Sequence, residues 1–308
     1  MGARPSASGC RARPRRRSPP ATGCLRVASP KARRRSSKTR YPATRIRGRR
    51  TAPPGEARDE HVTPPEAPAR SALMPEGAFG EAAAIAHQGW LIARRWLRGP
   101  GLPTNREPAE RPLVVFVHGY FAAAAVLDPL QAAIARTTGA ETLDFTYGPH
   151  RHFESIAEEL AERVAARAGG DRSIALVGHS LGGLVARWYL QQMAPHPGVE
   201  RLVTLATPHR GVPRARLMPG PLARALRPGS PLFEHLAEGR PPVPHLAILG
   251  GQDALVPPAI GGAVHAEVVR FDDLTHNQLL YDPRVHRVVA RALTRPRGED
   301  TEPEPDAA

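Results

Sequence analysis

The sequence predicts an α/β domain: a mostly parallel sheet with helices on both faces. Two observations carry this. Short runs of residues are apolar throughout, as strands buried on both faces must be. These runs alternate with segments of helical period, the order that βαβ units produce. The runs read as strands are Leu113–Val117 (LVVFV), Glu141–Thr146, Ile174–Val177, Arg201–Ala206 (RLVTLA), Leu246–Leu249 and Ala266–Phe271. Between them, helices are predicted over Asp128–Arg136, Phe153–Arg167 and Leu181–Met193, with a closing helix at Asp282–Leu293. In Phe153–Arg167 the apolar positions are Ile156, Leu160 and Val164, continued by Ala168, which is one helical face. In such sheets ligands bind beyond the carboxyl ends of the strands.

Before the first strand, Phe79–Leu97 also has helical spacing. Phe79, Ala82, Ala86, Trp90, Ala93 and Leu97 share a face, and Arg94, Arg95 and Arg98 cluster at the end, where cations suit the helix dipole. The expectation is a helix packed on the sheet. The sharper alternative is a helix lying on a membrane surface.

Between Thr207 and Pro244 the alternation stops. The segment is rich in Pro, Arg and Leu, with short helical pieces such as LARAL and PLFEHLAEG. A connection of this length is usually functional or disordered, and its place after a strand's carboxyl end suggests a small helical cap over a site, residues 207–244.

Charge divides the chain. Residues 1–70 hold 19 Lys and Arg against 4 Asp and Glu, leaving 24 against 25 for the rest of the 308 residues. The net charge of +14 therefore describes a tail and not the body. With few large apolar side chains, residues 1–73 are expected to be a disordered basic tail. It reads as a solvated extension, as a weak, non-specific contact for polyanions or a membrane surface, or as translated upstream sequence before a native start at Met74. No apolar stretch of roughly 7–15 residues makes an export signal in it. No run approaches the ~20 apolar residues of a membrane span. Both cysteines, Cys10 and Cys24, lie in the tail, so the body holds no disulfide, which fits a reducing, cytoplasmic setting or a membrane-peripheral one. The domain itself is expected over 74–296, followed by an acidic, flexible end over 297–308.

The chemistry centres on Gly178-His179-Ser180-Leu181-Gly182. It matches G-x-S-x-G, with a strand before and a helix after, as that motif requires. Such a turn is tight enough to strain the serine and to demand small flanking residues. It thrusts the hydroxyl out at a helix N-terminus that attracts negative charge. A serine hydroxyl needs a base to take its proton. His276 follows the strand ending at Phe271 and is favoured over His118, His209 and His179, which read as site-lining or bracing residues. The base needs an acid to hold its tautomer. Asp253, after the strand Leu246–Leu249, is preferred to Asp272, Asp273, Asp144 and Glu141. The order Ser180, Asp253, His276 is that of the α/β-hydrolase arrangement. A developing oxyanion needs preorganised N–H donors. The backbone N–H groups of Leu181 and Tyr120 are the expected pair, with Phe121 as the fallback for Tyr120. Phe121, His179 and His209 are expected to line the substrate pocket. No metal cluster, phosphate loop or dinucleotide fingerprint is present in the sequence, so no cofactor is expected.

Together, VFVHGY, GHSLGG, LATPHRG, GGQDALVPP and the later TH resemble the bacterial lipase/esterase branch of the α/β-hydrolase superfamily. The likeness runs from about Leu113 to Leu293. PGSPLFEHL resembles cap sequence of that branch. The resemblance implies an α/β-hydrolase fold and a serine hydrolase that cleaves lipid-like or acyl esters through an acyl-enzyme. Thioester cleavage or acyl transfer on the same triad is the near alternative. A polyanion- or membrane-binding protein on an inactive hydrolase scaffold is the alternative of another class.

Overall fold

The computed structural model describes residues 77–98, 111–169, 172–263 and 265–295, all within a unit spanning 58–308. The basic tail, its two cysteines, Met74 and the acidic end expected from the sequence lie outside the described residues.

Six strands form the sheet: β1 (Leu113–Val117), β2 (Glu141–Phe145), β3 (Ile174–His179), β4 (Val199–Leu205), β5 (His245–Gly250) and β6 (Glu267–Phe271). Their order is β2-β1-β3-β4-β5-β6, and every neighbouring pair is parallel. The helices are α1 (Gly77–Arg98), α2 (Asp128–Thr138), α3 (Phe153–Ala168), α4 (Leu181–Gln192), α5 (Pro221–Ala225), α6 (Pro231–Ala237), α7 (Pro258–Gly261) and α8 (Pro283–Thr294). The chain moves outward from β1 to β2 and then returns to build β3 on the other side of β1. That reversal leaves a crevice between the carboxyl ends of β1 and β3.

Strand pleating divides the core in two. Leu113, Val115 and Val117 of β1 point into the layer formed with α3 and α4. Val114 and Phe116 point into the layer formed with α2 and α8. All five are buried, so LVVFV is apolar throughout because both of its faces are covered. Element ends follow local chemistry. Gly139, at φ 68°, closes α2 two residues beyond the predicted end. The Asp282 carboxylate accepts the Arg284 N–H at 2.7 Å and caps α8, so that helix starts at Pro283.

Leu222, Leu226, Leu232 and Phe233 of the 207–244 segment are buried in the core on the α3/α4 side, whereas Leu217 is exposed. Short helices expose little and use most of their apolar side chains to hold themselves down. The apolar face predicted to pack α1 onto the sheet is turned outward instead: Phe79, Trp90 and Leu97 are exposed. The helix docks through Gly80, Ala84 and Leu91, and Arg95, which bonds Asp128 and Asp144. No helix among the described residues is long and apolar enough to cross a membrane.

The tightest packing lies where α4 begins. A Cβ at Gly182 would lie 2.6 Å from the His118 carbonyl oxygen and closer still to that of Val117. Neither backbone oxygen can move without breaking the end of β1. Gly182→Ala is therefore expected to lower stability by about 3 kcal/mol. The check is a urea titration, in which the midpoint falls at an unchanged slope.

Candidate active site

β3 delivers Ser180 at its end, and α4 starts at the next residue. Ser180 has φ 53° and ψ −121°. A non-glycine residue is strained there and stays only because its surroundings hold it. The Ser180 N–H donates to the Leu205 carbonyl at 2.8 Å, and the Gly183 N–H donates to the Ser180 carbonyl at 3.1 Å. A Cβ at Gly178 would sit 2.5 Å from the Gly183 backbone, so the strand and helix meet too closely for any side chain there. Leu181 is the first residue of α4. Its N–H is one of the four that a helix leaves without an intrahelical partner.

The loop after β1 packs on this elbow. A Cβ at Gly119 would lie 3.1 Å from the Ser180 Cβ and 3.2 Å from the His179 ring, so Gly119, which Tyr120 and Phe121 follow, is held against the serine. Phe121 is also strained, at φ 54°, and it is exposed. The Tyr120 hydroxyl reaches the Pro219 carbonyl at 3.4 Å and so links this loop to the segment between β4 and β5. His118 braces the turn. Its Nδ1–H donates to the Gly119 carbonyl at 2.7 Å, and its Nε2 accepts the Tyr147 N–H at 3.2 Å. Burial lowers its pKa and keeps it neutral.

β5 and β6 deliver the acid and the histidine. The Asp253 carboxylate accepts Nδ1–H of His276 at 2.7 Å through one oxygen. Through the other it accepts the N–H groups of Leu255 at 2.9 Å and Val256 at 2.7 Å. Both side chains are buried. With its proton on Nδ1, His276 has a lone pair on Nε2, the form a general base needs. The rival acids are engaged elsewhere. Asp144 bonds Arg95 and Gln131, Glu141 bonds Arg167 and Arg172, Asp272 pairs with Arg270, and Asp273 with Arg284.

The backbone around His276 is held from two sides. His179, the neighbour of Ser180, donates Nε2–H to the His276 carbonyl at 3.3 Å, and the two rings lie 4.9 Å apart. From α1, the Glu81 carboxylate accepts the Thr275 hydroxyl at 2.5 Å and the Asn277 N–H at 3.1 Å, and it also bonds the Asn277 side-chain amide. Gln88 donates to that amide's oxygen at 2.6 Å. Sequence reasoning missed Glu81. The one available signal was its being the only acid in a 22-residue helix.

Residues 114–236 match the family model described as palmitoyl protein thioesterase. The mature form of a lipase from Bacillus licheniformis has a TM-score of 0.51 at 18% identity, over 63% of this chain and 97% of that one. A phospholipase from Legionella pneumophila has a TM-score of 0.52 at 14% identity, over 61% of this chain and 60% of that one. The chain has the α/β-hydrolase fold. No curated protein matches it.

In this fold, His209 takes part in a buried network. Arg187 Nη1 donates to His209 Nδ1 at 3.1 Å, so the His209 proton sits on Nε2 and goes to the Thr204 hydroxyl at 3.1 Å. That hydroxyl then donates to His245 Nε2 at 2.9 Å. Arg187 also donates to the Leu236 carbonyl at 3.0 Å and so holds the end of α6. Burial lowers the Arg187 pKa to about 10. Burial and the nearby Arg187 charge lower His245 to about 3. Burial first, then the neighbouring His245 and Arg187, lowers His209 well below its usual value.

These depressed values give stability a pH dependence. The unfolded chain protonates both imidazoles near pH ~6.5, whereas the folded chain does so only at much lower pH. Their contribution is thus complete above that pH and declines as pH falls towards about 3. Urea midpoints measured from pH ~7 to ~4 should fall. His245→Gln, which removes one titrating ring, should flatten that fall.

Proposed function

We propose that the protein is a serine hydrolase that cleaves carboxylic esters with apolar acyl groups through an acyl-enzyme. The observation that supports this best is the 2.7 Å bond between His276 and Asp253, held next to the elbow that strains Ser180. The Ser180 hydroxyl attacks the ester carbonyl while His276 Nε2 takes its proton. The Asp253 carboxylate stabilises the imidazolium and keeps the ring's orientation. The N–H groups of Leu181 and Tyr120 receive the oxyanion. His276 then protonates the departing alcohol. In the second half, His276 takes a proton from water, the resulting hydroxide attacks the acyl-Ser180 carbonyl, and the acid leaves as Ser180 recovers its proton.

Thioester cleavage is the second reading, favoured by the family model matched over 114–236. The chemistry differs only in the leaving group, a thiol in place of an alcohol. A matched oxygen-ester and thioester pair with the same acyl chain separates the two. An acyl series from acetate to palmitate reads the pocket, and a sharp preference for acetate would argue against a lipid-like substrate.

Ser180→Ala should lose about four or more orders of magnitude in kcat against a p-nitrophenyl ester. It should also lose labelling by a fluorophosphonate probe, which the unaltered protein takes up at Ser180. Near-normal turnover by Ser180→Ala overturns the proposal.

A further inference from the structure

Six of the nine exposed large hydrophobic side chains among the described residues lie on α1: Phe79, Ile85, Trp90, Ile92, Trp96 and Leu97. At 3.6 residues per turn they spread over one outward arc, and Ala and Gly fill the positions between them. The arc holds no charged residue. The polar side chains of the helix go elsewhere. Glu81 and Gln88 bond Thr275 and Asn277, His87 meets Tyr281 edge-on at 4.8 Å, and Arg95 bonds Asp128 and Asp144. Arg94 lies 5.0 Å over Trp90 at the edge of the arc, and Arg98 is exposed at the helix end. A helix facing water on that side would carry polar residues there, and an apolar patch of this extent marks an interaction surface.

We propose that this arc of α1 lies in the interface of an anionic lipid surface. Three features select a lipid surface over a protein partner. The only acid of α1 faces the body, so the outer side presents positive charge alone, the complement of anionic headgroups. The arc combines tryptophan with arginine, whose amphipathic side chains suit the boundary between headgroups and acyl chains. The opposite face of the same helix reaches the chemistry. A Cβ at Gly77, the first residue of α1, would lie 3.5 Å from the Gln252 side chain, next to Asp253, and Glu81 holds both neighbours of His276. A helix lying in the interface thus brings the carboxyl edge of the sheet to the lipid. The docking surface does not depend on the ester-cleavage reading, because binding and turnover are measured separately.

The test uses the full chain, whose three tryptophans include Trp90 and Trp96. Vesicles of phosphatidylcholine with phosphatidylglycerol are added at about 0.5 M salt, where purely ionic attraction through the basic residues 1–70 is screened. The expected result is a blue-shifted tryptophan emission that acyl-chain-brominated lipid quenches. The double substitution Trp96→Glu with Leu97→Glu should weaken vesicle binding at least tenfold and leave turnover of a soluble short-chain ester unchanged. Phe79→Glu, at the other end of the arc, should also weaken binding. Any of four results overturns the proposal: emission that brominated lipid does not quench, binding lost at high salt, a double variant that binds like its parent, or a dimer that Trp96→Glu dissociates with no vesicle binding.

Discussion

The rest of the structure depends on how closely the first turn of α4 approaches β1. Gly182 stands against the carbonyl oxygens of Val117 and His118, and Gly178 against the backbone of Gly183. No side chain fits in either place. The chain can pass from β3 into α4 only by a turn that puts Ser180 at φ 53°. The backbone cost is offset by burial of the strand and helix on either side, and by hydrogen bonds from the elbow to β4. The same closeness brings the Gly119 loop against the serine. The geometry of the site is thus a consequence of packing in the sheet.

The parallel sheet brings the remaining groups to the same edge. Loops leaving β1, β3, β5 and β6 carry Tyr120, Ser180, Asp253 and His276, residues far apart in the chain. The segment between β4 and β5 is held by its own buried leucines and by Arg187, which bonds both the Leu236 carbonyl and His209. On the other side, α1 reaches the segment containing His276 through Glu81 and Gln88. That helix therefore has two opposed faces with different work. Its polar face positions backbone on either side of an imidazole, and its apolar face has no partner among the described residues.

The four central strands were legible because each is a short run, mostly apolar and buried. LVVFV has the boundaries its composition suggests. The helix ends were less legible, since caps such as Gly139 and Asp282 set them by single hydrogen bonds and single φ angles. Ser180 was readable because the glycines around it carry the steric demand in their identity. Which carboxylate meets His276 was only a preference in the sequence. The pairings of Asp144, Glu141, Asp272 and Asp273 with arginines leave Asp253 to the imidazole. His209 illustrates the limit. In the sequence it reads as lining or bracing a site, and its contacts put it in a buried chain of arginine, hydroxyl and imidazole.

What the sequence by itself determined is the alternation of strand and helix, the elbow and the residue types able to do acyl chemistry, because these follow from local period and local sterics. Only the tertiary structure decided which face of α1 is turned outward, which leucines of the 207–244 segment are core, and that Glu81 braces the neighbours of His276. Those outcomes depend on which surfaces meet across nearly two hundred residues of chain. Apolar period records that a helix has a face, but not what lies against it.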